Sequence, residues 1–377
     1  MSKVHFFIDN LNMGGFQRLC LDQAYVFSEQ GYRVEIHSLN ELPKADSSNF
    51  LAIERDLISK FGILVNSISS NHLRQILMAY KIVISASPHD ILISHSLRAT
   101  VILRISLILS GSRLKFLTVV HQLPTLSAPV QRFRRFLYAQ LTPILVAYSS
   151  AVKSDWNFRV GHFSSFLRPF FSKPIEVARN GVYLNRLPSP RTPTAEILQA
   201  RLIFLGRNTG WKGITTFLEY AEHSKLSHFK ALLMLPEIDS EFQTEIQSRF
   251  GSRVDLILGK SISSFKPQPG DVHFYAAQYG GNAQFIESIS LNCLEMAAVG
   301  VPSVVTRGGL ETWLDLQDQE IFFECNWSDS HATAETILKA SRTQYDFLKL
   351  EFIRNQVSIE TNVNILKKRI FQSIENN

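Results

Sequence analysis

Cysteine is scarce, with three in 377 residues. Cys20, Cys293 and Cys325 share no metal-like spacing, and nothing in their number suggests a disulfide framework. Two fall in helix-like stretches and one near a strand end, so they are expected as buried free thiols in a reducing compartment. Long apolar runs are missing too. Met1-Ser-Lys leads directly into Val4-His-Phe-Phe-Ile8, a first strand, and no signal peptide is expected. The richest apolar stretch, Ala99 to Leu109, is interrupted by Arg104 and too short to span a bilayer. The Gly-x-Gly-x-x-Gly fingerprint is absent, which argues against NAD. No nucleic-acid recognition motif accompanies the basic residues, and there is no low-complexity tail.

What remains is a globular chain. Hydrophobic residues make up 45% and charged residues 19%, enough for ample core, and the length calls for two domains. The net charge of +6 suits an acidic partner: a nucleotide diphosphate, an anionic membrane or a nucleic acid.

Val4 to Ile8 ends in Asp9-Asn10, followed by Gly14-Gly15 and a helix whose Phe16, Leu19, Cys20, Ala24 and Phe27 share one face. Tyr32 to Leu39 is the next strand. This strand–glycine loop–helix–strand order begins a parallel α/β domain. Two glycines let a ligand approach the backbone, and the helix N-terminus favours an anion. Leu51 to Phe61 and His72 to Tyr80 read as helices. Ile91 to Ser94 and Lys115 to Val120 read as strands, each followed by a histidine, His95 and His121. A histidine at a strand's C-terminal edge stands where ligands bind or where a structural hydrogen bond is made. Gln131-Arg-Phe-Arg-Arg-Phe-Leu-Tyr138 is either a solvated helix with one buried face or a surface attracted to anionic lipid. Phe163 to Phe171 would extend that surface.

Asn180-Gly181 is a turn, and Leu187-Pro-Ser-Pro-Arg-Thr-Pro193 a linker. Arg201 to Leu205 opens a second sheet, followed by Gly206-Arg207-Asn-Thr-Gly210-Trp211-Lys212-Gly213 and a helix over 214–222. Arg207 and Lys212 flank a strand end and a helix start, where two cations can neutralise a diphosphate. Lys230 to Leu235, Val254 to Leu258 and Asp271 to Ala277 are further strands. Glu287 and Glu295 then stand with seven residues between them. Ser288 or Ser290 can cap a helix carrying Glu295 on its second turn, Gly300 ends it, and Val301 to Thr306 is a strand running into Gly308-Gly309-Leu310-Glu311. Tyr345 to Phe371 is helical in pattern.

The order of two glutamates, helix, Gly-x-Pro, strand and glycine-rich loop resembles the retaining GT-B glycosyltransferases of the GT4 type, as do Gly-Arg…Lys-Gly over 206–213 and Asn180-Gly181-Val182. The resemblance implies an α/β GT-B fold, two Rossmann-like domains with parallel sheets facing a central cleft. It places an N-terminal acceptor domain over 1–175 with a C-terminal helix at about 357–377, and a donor domain over 176–356. It implies transfer of a hexose-type sugar from a nucleotide-diphosphate sugar to a glycan or lipid-linked acceptor in bacterial surface polysaccharide biosynthesis. In that family's roles, Arg207 and Lys212 hold the diphosphate, Glu295 the ribose, and Glu287, Gly309 and Leu310 the sugar. Gly14 and Gly15 border diphosphate and acceptor, His121 orients the sugar, and His95 is a second candidate. No metal or other cofactor is expected, and no nucleic acid. The location implied is cytoplasmic, with peripheral contact to the inner membrane face. Ile289-Ser290 and Ala276-Ala277 depart from the family's usual Phe-Gly and Pro-Ser. The other readings are a non-catalytic nucleotide-sugar-binding partner and a sugar-nucleotide epimerase of the same fold.

Overall fold

The computed structural model describes residues 2–12, 14–40, 51, 54–68, 71–114, 116–120, 141, 144–147, 175–191, 199–208, 212–275, 290–306, 313–326 and 329–375. The chain forms two compact units, residues 1–183 with 359–377, and residues 184–358.

The first unit is built on seven strands: β1 (Lys3–Ile8), β2 (Arg33–Ser38), β3 (Leu64–Ser67), β4 (Ile91–Ser94), β5 (Phe116–Val120), β6 (Ile144–Ala147) and β7 (Ile175–Val177). Their order is β3-β2-β1-β4-β5-β6-β7, all parallel. The helices are α1 (Gly15–Glu29), α2 (Arg55–Lys60), α3 (His72–Ser85) and α4 (Leu97–Ser110). Leu19, Cys20, Ala24 and Phe27 of α1 are buried, as their helical spacing predicts, whereas Phe16 of the same predicted face is half-buried and Leu21, Tyr25 and Val26 outside it are buried as well. Asn71 caps α3 through Leu73 and Arg74 N–H groups, and Ser96 caps α4 through Ala99 N at 3.0 Å. α3 and α4 cover one sheet face, where Phe7, Leu92, Ala79, Val83, Leu103 and Phe116 form one core cluster.

The second unit repeats the plan with six strands: β8 (Arg201–Leu205), β9 (Lys230–Leu235), β10 (Val254–Leu258), β11 (Val272–Phe274), β12 (Ser303–Thr306) and β13 (Phe322–Cys325). Their order is β10-β9-β8-β11-β12-β13, again parallel throughout. Its helices are α5 (Ile214–Ala221), α6 (Ser240–Phe250), α7 (Leu291–Ala298), α8 (Leu314–Gln317), α9 (Ser330–Ser341) and α10 (Phe347–Val357). Alternation along β8 sorts the two faces. Leu202 and Phe204 join Phe217 of α5, Ile246 of α6 and Ile337 of α9. Ile203 joins Met296 of α7 with Val299 and Val301. Each fully buried side chain such as Phe217 contributes about 1.5–3 kcal/mol relative to exposure. At the N-terminal edge, Arg201 grips buried Asp271 with Nε–Oδ1 at 2.7 Å and Nη2–Oδ2 at 2.6 Å, tying β8 to β11. Burial raises the Asp271 pKa, and the guanidinium opposes the rise.

The last helix, α11 (Ile359–Glu375), belongs to the first unit, where Asn362 Nδ2 donates to the carbonyls of Ala178 and Arg179 and Gln23 Nε2 donates to Asn362 Oδ1. The stretch from Tyr345 to Phe371 is therefore not one helix. Ser358 is extended (ψ 134°), and Ile359 N donates to Val182 O at 3.0 Å, which breaks the segment into α10 and α11. Helical spacing persists on both sides of the break, so the pattern alone could not show it. Cys20 and Cys293 are buried in helices, Cys325 ends β13, and all three are free thiols. Among the described residues no helix is long and apolar enough to cross a membrane.

Candidate functional site

In each sheet the first strand sends the chain one way and the fourth sends it the other. In the second unit this reversal lies between β8 and β11, and an open parallel sheet leaves a crevice for ligands there, beyond the strands' C-terminal ends. The predicted cations arrive at this point. β8 ends at Leu205, and Arg207, two residues on, is exposed and makes no hydrogen bond or ion pair among the described residues. Lys212 stands just before α5. Gly213 is the N-cap of that helix at φ 77°, a left-handed conformation that a side chain would resist. Lys212 Nζ donates to the Tyr275 hydroxyl at 3.3 Å and lies 5.4 Å from the centre of that ring. Tyr275 directly follows β11, is 6% exposed, and is fixed through its N–H to Val304 O at 3.0 Å.

α7 is drawn to the same place. Asn292, in its first turn, donates from Nδ2 to the carbonyl of Leu205. Segments 87 residues apart in sequence thus meet at the end of β8. Ser290 occupies the N-cap position without a side-chain cap bond, so its contribution is the backbone carbonyl taken by Cys293 N at 2.9 Å. Gly300 stops the helix at φ 78°, as its type and place predict. Glu295 is on the second turn, buried, and ion-paired with Arg186, itself 3% exposed. Tyr275, Asn292 and Arg186 were not among the sequence candidates. Tyr275 could have been found as the polar aromatic at a strand end, and Asn292 as an amide in a helix's first turn. Nothing near Arg186 signals its partner.

The first unit's reversal lies between β1 and β4. Gly14 is the N-cap residue of α1 and Gly15 its first residue. A Cβ at Gly14 would lie 2.3 Å from Gln17 Oε1, whereas one at Gly15 would meet nothing within 4 Å. Gln17 is held in turn, with Nε2 donating to Asn10 Oδ1 at 3.0 Å. Asp9 Oδ1 accepts from the Ser96 hydroxyl at 2.6 Å, joining the ends of β1 and β4. His95 is buried, its ring 5.7 Å from that of Phe6 and its N–H donated to Phe7 O at 2.9 Å. His121, Glu287, Gly309 and Leu310 lie outside the described residues, as do the basic aromatic stretches at 131–138 and 163–171. The structure brings Arg207, Lys212 and the helix of Glu295 together, and separately sets Gly14 and Gly15 beside the β1 end.

No family model matches the chain, and no curated protein matches its sequence. Solved structures match it over its whole length. A glycosyltransferase from Rickettsia africae shares 16% identity, with 100% of both chains covered and a TM-score of 0.68. HepE from Anabaena, solved in complex with UDP, shares 15% identity, with 100% of both chains covered and a TM-score of 0.66. The lipopolysaccharide outer core galactosyltransferase WaaB shares 13% identity, covering 99% of this chain and 100% of its own, with a TM-score of 0.60. With two parallel-sheet Rossmann-like domains in each other's company along one chain, the fold is GT-B.

Proposed function

We propose that this protein is a retaining glycosyltransferase of the GT4 type, moving a hexose-type sugar from a nucleotide-diphosphate sugar to a glycan or lipid-linked acceptor of a bacterial surface polysaccharide such as lipopolysaccharide, O-antigen or capsule. The observation that carries this reading is the pair Arg207 and Lys212 at the strand reversal of the second unit, with α7 tied to the same strand end. A departing nucleoside diphosphate gains negative charge as the sugar C1–O bond breaks. Fixed cations aimed at that charge stabilise the transition state more than the ground state, and two of them can do so without a metal. The Tyr275 hydroxyl limits where the Lys212 ammonium can stand, so less orientation is lost when phosphate binds.

In this reading Glu295 receives the ribose hydroxyls, with its ion pair to Arg186 holding the carboxylate in orientation. Glu287, Gly309 and Leu310 hold the sugar, His121 orients it, and Gly14 and Gly15 border diphosphate and acceptor. HepE supports the donor class, having been solved with UDP and with UDP-glucose, and WaaB supports the lipopolysaccharide setting. The basic aromatic stretches would bring the protein to the anionic inner face of the membrane.

The test is a panel of UDP-, GDP-, ADP-, CMP- and dTDP-sugars, scored for thermal stabilisation and for slow hydrolysis of the donor. The reading expects one nucleotide class to stabilise and to be turned over, with both effects lost in Lys212→Ala. Stabilisation without any turnover would support a donor-binding partner protein instead. Conversion of the donor sugar with its nucleotide still attached would support an epimerase.

A further inference from the structure

Three side chains meet inside the first unit, on strand positions that the proposed transfer chemistry does not use. His5 lies on β1, and Glu35 and His37 on β2, where the register sets His5 opposite Glu35 and Phe7 opposite His37. Odd-numbered residues of both strands point to one sheet face, so all three side chains share the face of Phe7. His5 and His37 are 2% and 3% exposed. His5 Nδ1 and His37 Nε2 stand 3.1 Å apart. Glu35 Oε2 lies 3.6 Å from the first nitrogen and 3.8 Å from the second, too far for a good hydrogen bond to either. Its other oxygen, Oε1, takes the Lys3 ammonium at 3.0 Å.

The convergence leaves acceptors in excess. Each imidazole in its uncharged form carries one proton and offers its other ring nitrogen as an acceptor. At most one proton lies between the two facing nitrogens, and Glu35 Oε2 points at the same spot with none. A point equidistant from the three atoms lies about 2.0 Å from each by their separations, and zinc–nitrogen and zinc–carboxylate bonds are about 2.0–2.2 Å. Two imidazoles and one carboxylate are also a donor set that zinc accepts.

We propose that His5 Nδ1, His37 Nε2 and Glu35 Oε2 form a site for one divalent transition-metal ion, with zinc as the fitting species, that staples β1 to β2. The ion replaces the proton between the rings, which moves to an outer ring nitrogen, and water completes the coordination. Lys3 stays on Glu35 Oε1 and holds the carboxylate in its one-oxygen orientation. His5 is three residues back from the C-terminal end of β1, roughly 10 Å at strand rise, so the ion serves the fold rather than the transfer reaction.

The experiment uses the full chain, freed of metal by a chelator and carrying no affinity tag. Zinc alone is titrated by calorimetry, and cobalt(II) is added in a parallel sample to read its visible spectrum. One equivalent of zinc should bind and raise Tm by several degrees, and the parallel cobalt sample should show an intense low-coordinate spectrum that added zinc removes. Glu35→Gln, at a partly exposed position, should weaken zinc binding at least tenfold and leave the metal-free Tm nearly unchanged. His37→Gln should abolish both the binding and the spectrum. Absence of stoichiometric binding to the wild-type chain overturns the site, leaving a buried pair of hydrogen-bonded histidines. Binding that survives Glu35→Gln undiminished overturns it equally, because the ion then sits elsewhere.

Discussion

The two units reverse strand order at the same place in their sheets and furnish it with opposite chemistry. Around the ends of β1 and β4 stand Asp9, Asn10, Gln17 and Ser96, joined to one another by neutral or anionic hydrogen bonds. Around the ends of β8 and β11 stand Arg207, Lys212 and Tyr275. Strand order supplies a crevice in both cases, and the side chains decide what it can hold. The cationic one suits phosphate. The hydroxyl- and amide-rich one suits sugar hydroxyls, which need donors and acceptors in equal measure.

That contrast can be broken most sharply at Arg186. Arg186→Ala leaves the Glu295 carboxylate buried and unpaired, which should cost about 3–5 kcal/mol and lower the stability of the second unit in thermal unfolding. An Arg186→Ala chain with wild-type Tm would mean that the pair is not what positions α7. Next in size is Lys212→Ala. Losing charged hydrogen bonds of about 1.5–3 kcal/mol should lower kcat/KM for donor turnover by about 10- to 100-fold with Tm nearly unchanged. A matching loss from altering Asn10 in the first unit would erase the proposed division of labour.

Acid should also act on the second unit. His273 is fully buried beside Ser303, and burial lowers its pKa to about 3. The unfolded chain takes up its proton near pH 6.5, but the folded chain does not until about pH 3. Stability is therefore complete above pH 6.5 and falls by about 1.4 kcal/mol per pH unit as acid is added through that window. Urea unfolding at pH 7 and pH 5 measures it, and equal midpoints would refute the buried neutral ring. The smallest effect is expected at Gly14→Ala, about 1 kcal/mol, because Gln17 must move off Asn10 to admit the methyl group. Adding Gln17→Ala should cancel most of the incremental cost of the methyl group, as judged from the double-mutant cycle of Tm values.

Much of the fold was legible because buried parallel strands are written as short apolar runs. Val4 to Ile8, Ile91 to Ser94, Arg201 to Leu205 and Val254 to Leu258 each became strands where the pattern put them. Not every edge strand was legible: Val254 to Leu258 was, but β3 has exposed Leu64 and few apolar residues, and β7 is three residues long. Among the candidate site residues, the places of Lys212 just before a helix and of Glu295 on a helix's second turn were legible in spacing and type. Their partners Tyr275 and Arg186 were not, since a contact 63 or 109 residues away leaves no local trace. The break at Ser358, where Ile359 N donates to Val182 O, left no trace in the helical pattern, and only the resemblance set a C-terminal helix apart from about 357.

That break has a topological meaning. The chain leaves the first unit after Tyr183 and re-enters it at Ile359, and Val182 and Ile359 are hydrogen-bonded neighbours. The second unit is thus an insertion whose entry and exit points adjoin. Two cuts at that doorway would release residues 184–358 as a single piece, and a short loop joining 183 to 359 would close the wound. New termini placed there by circular permutation should be accepted for the same reason, making each half of the protein a module that can be exchanged whole.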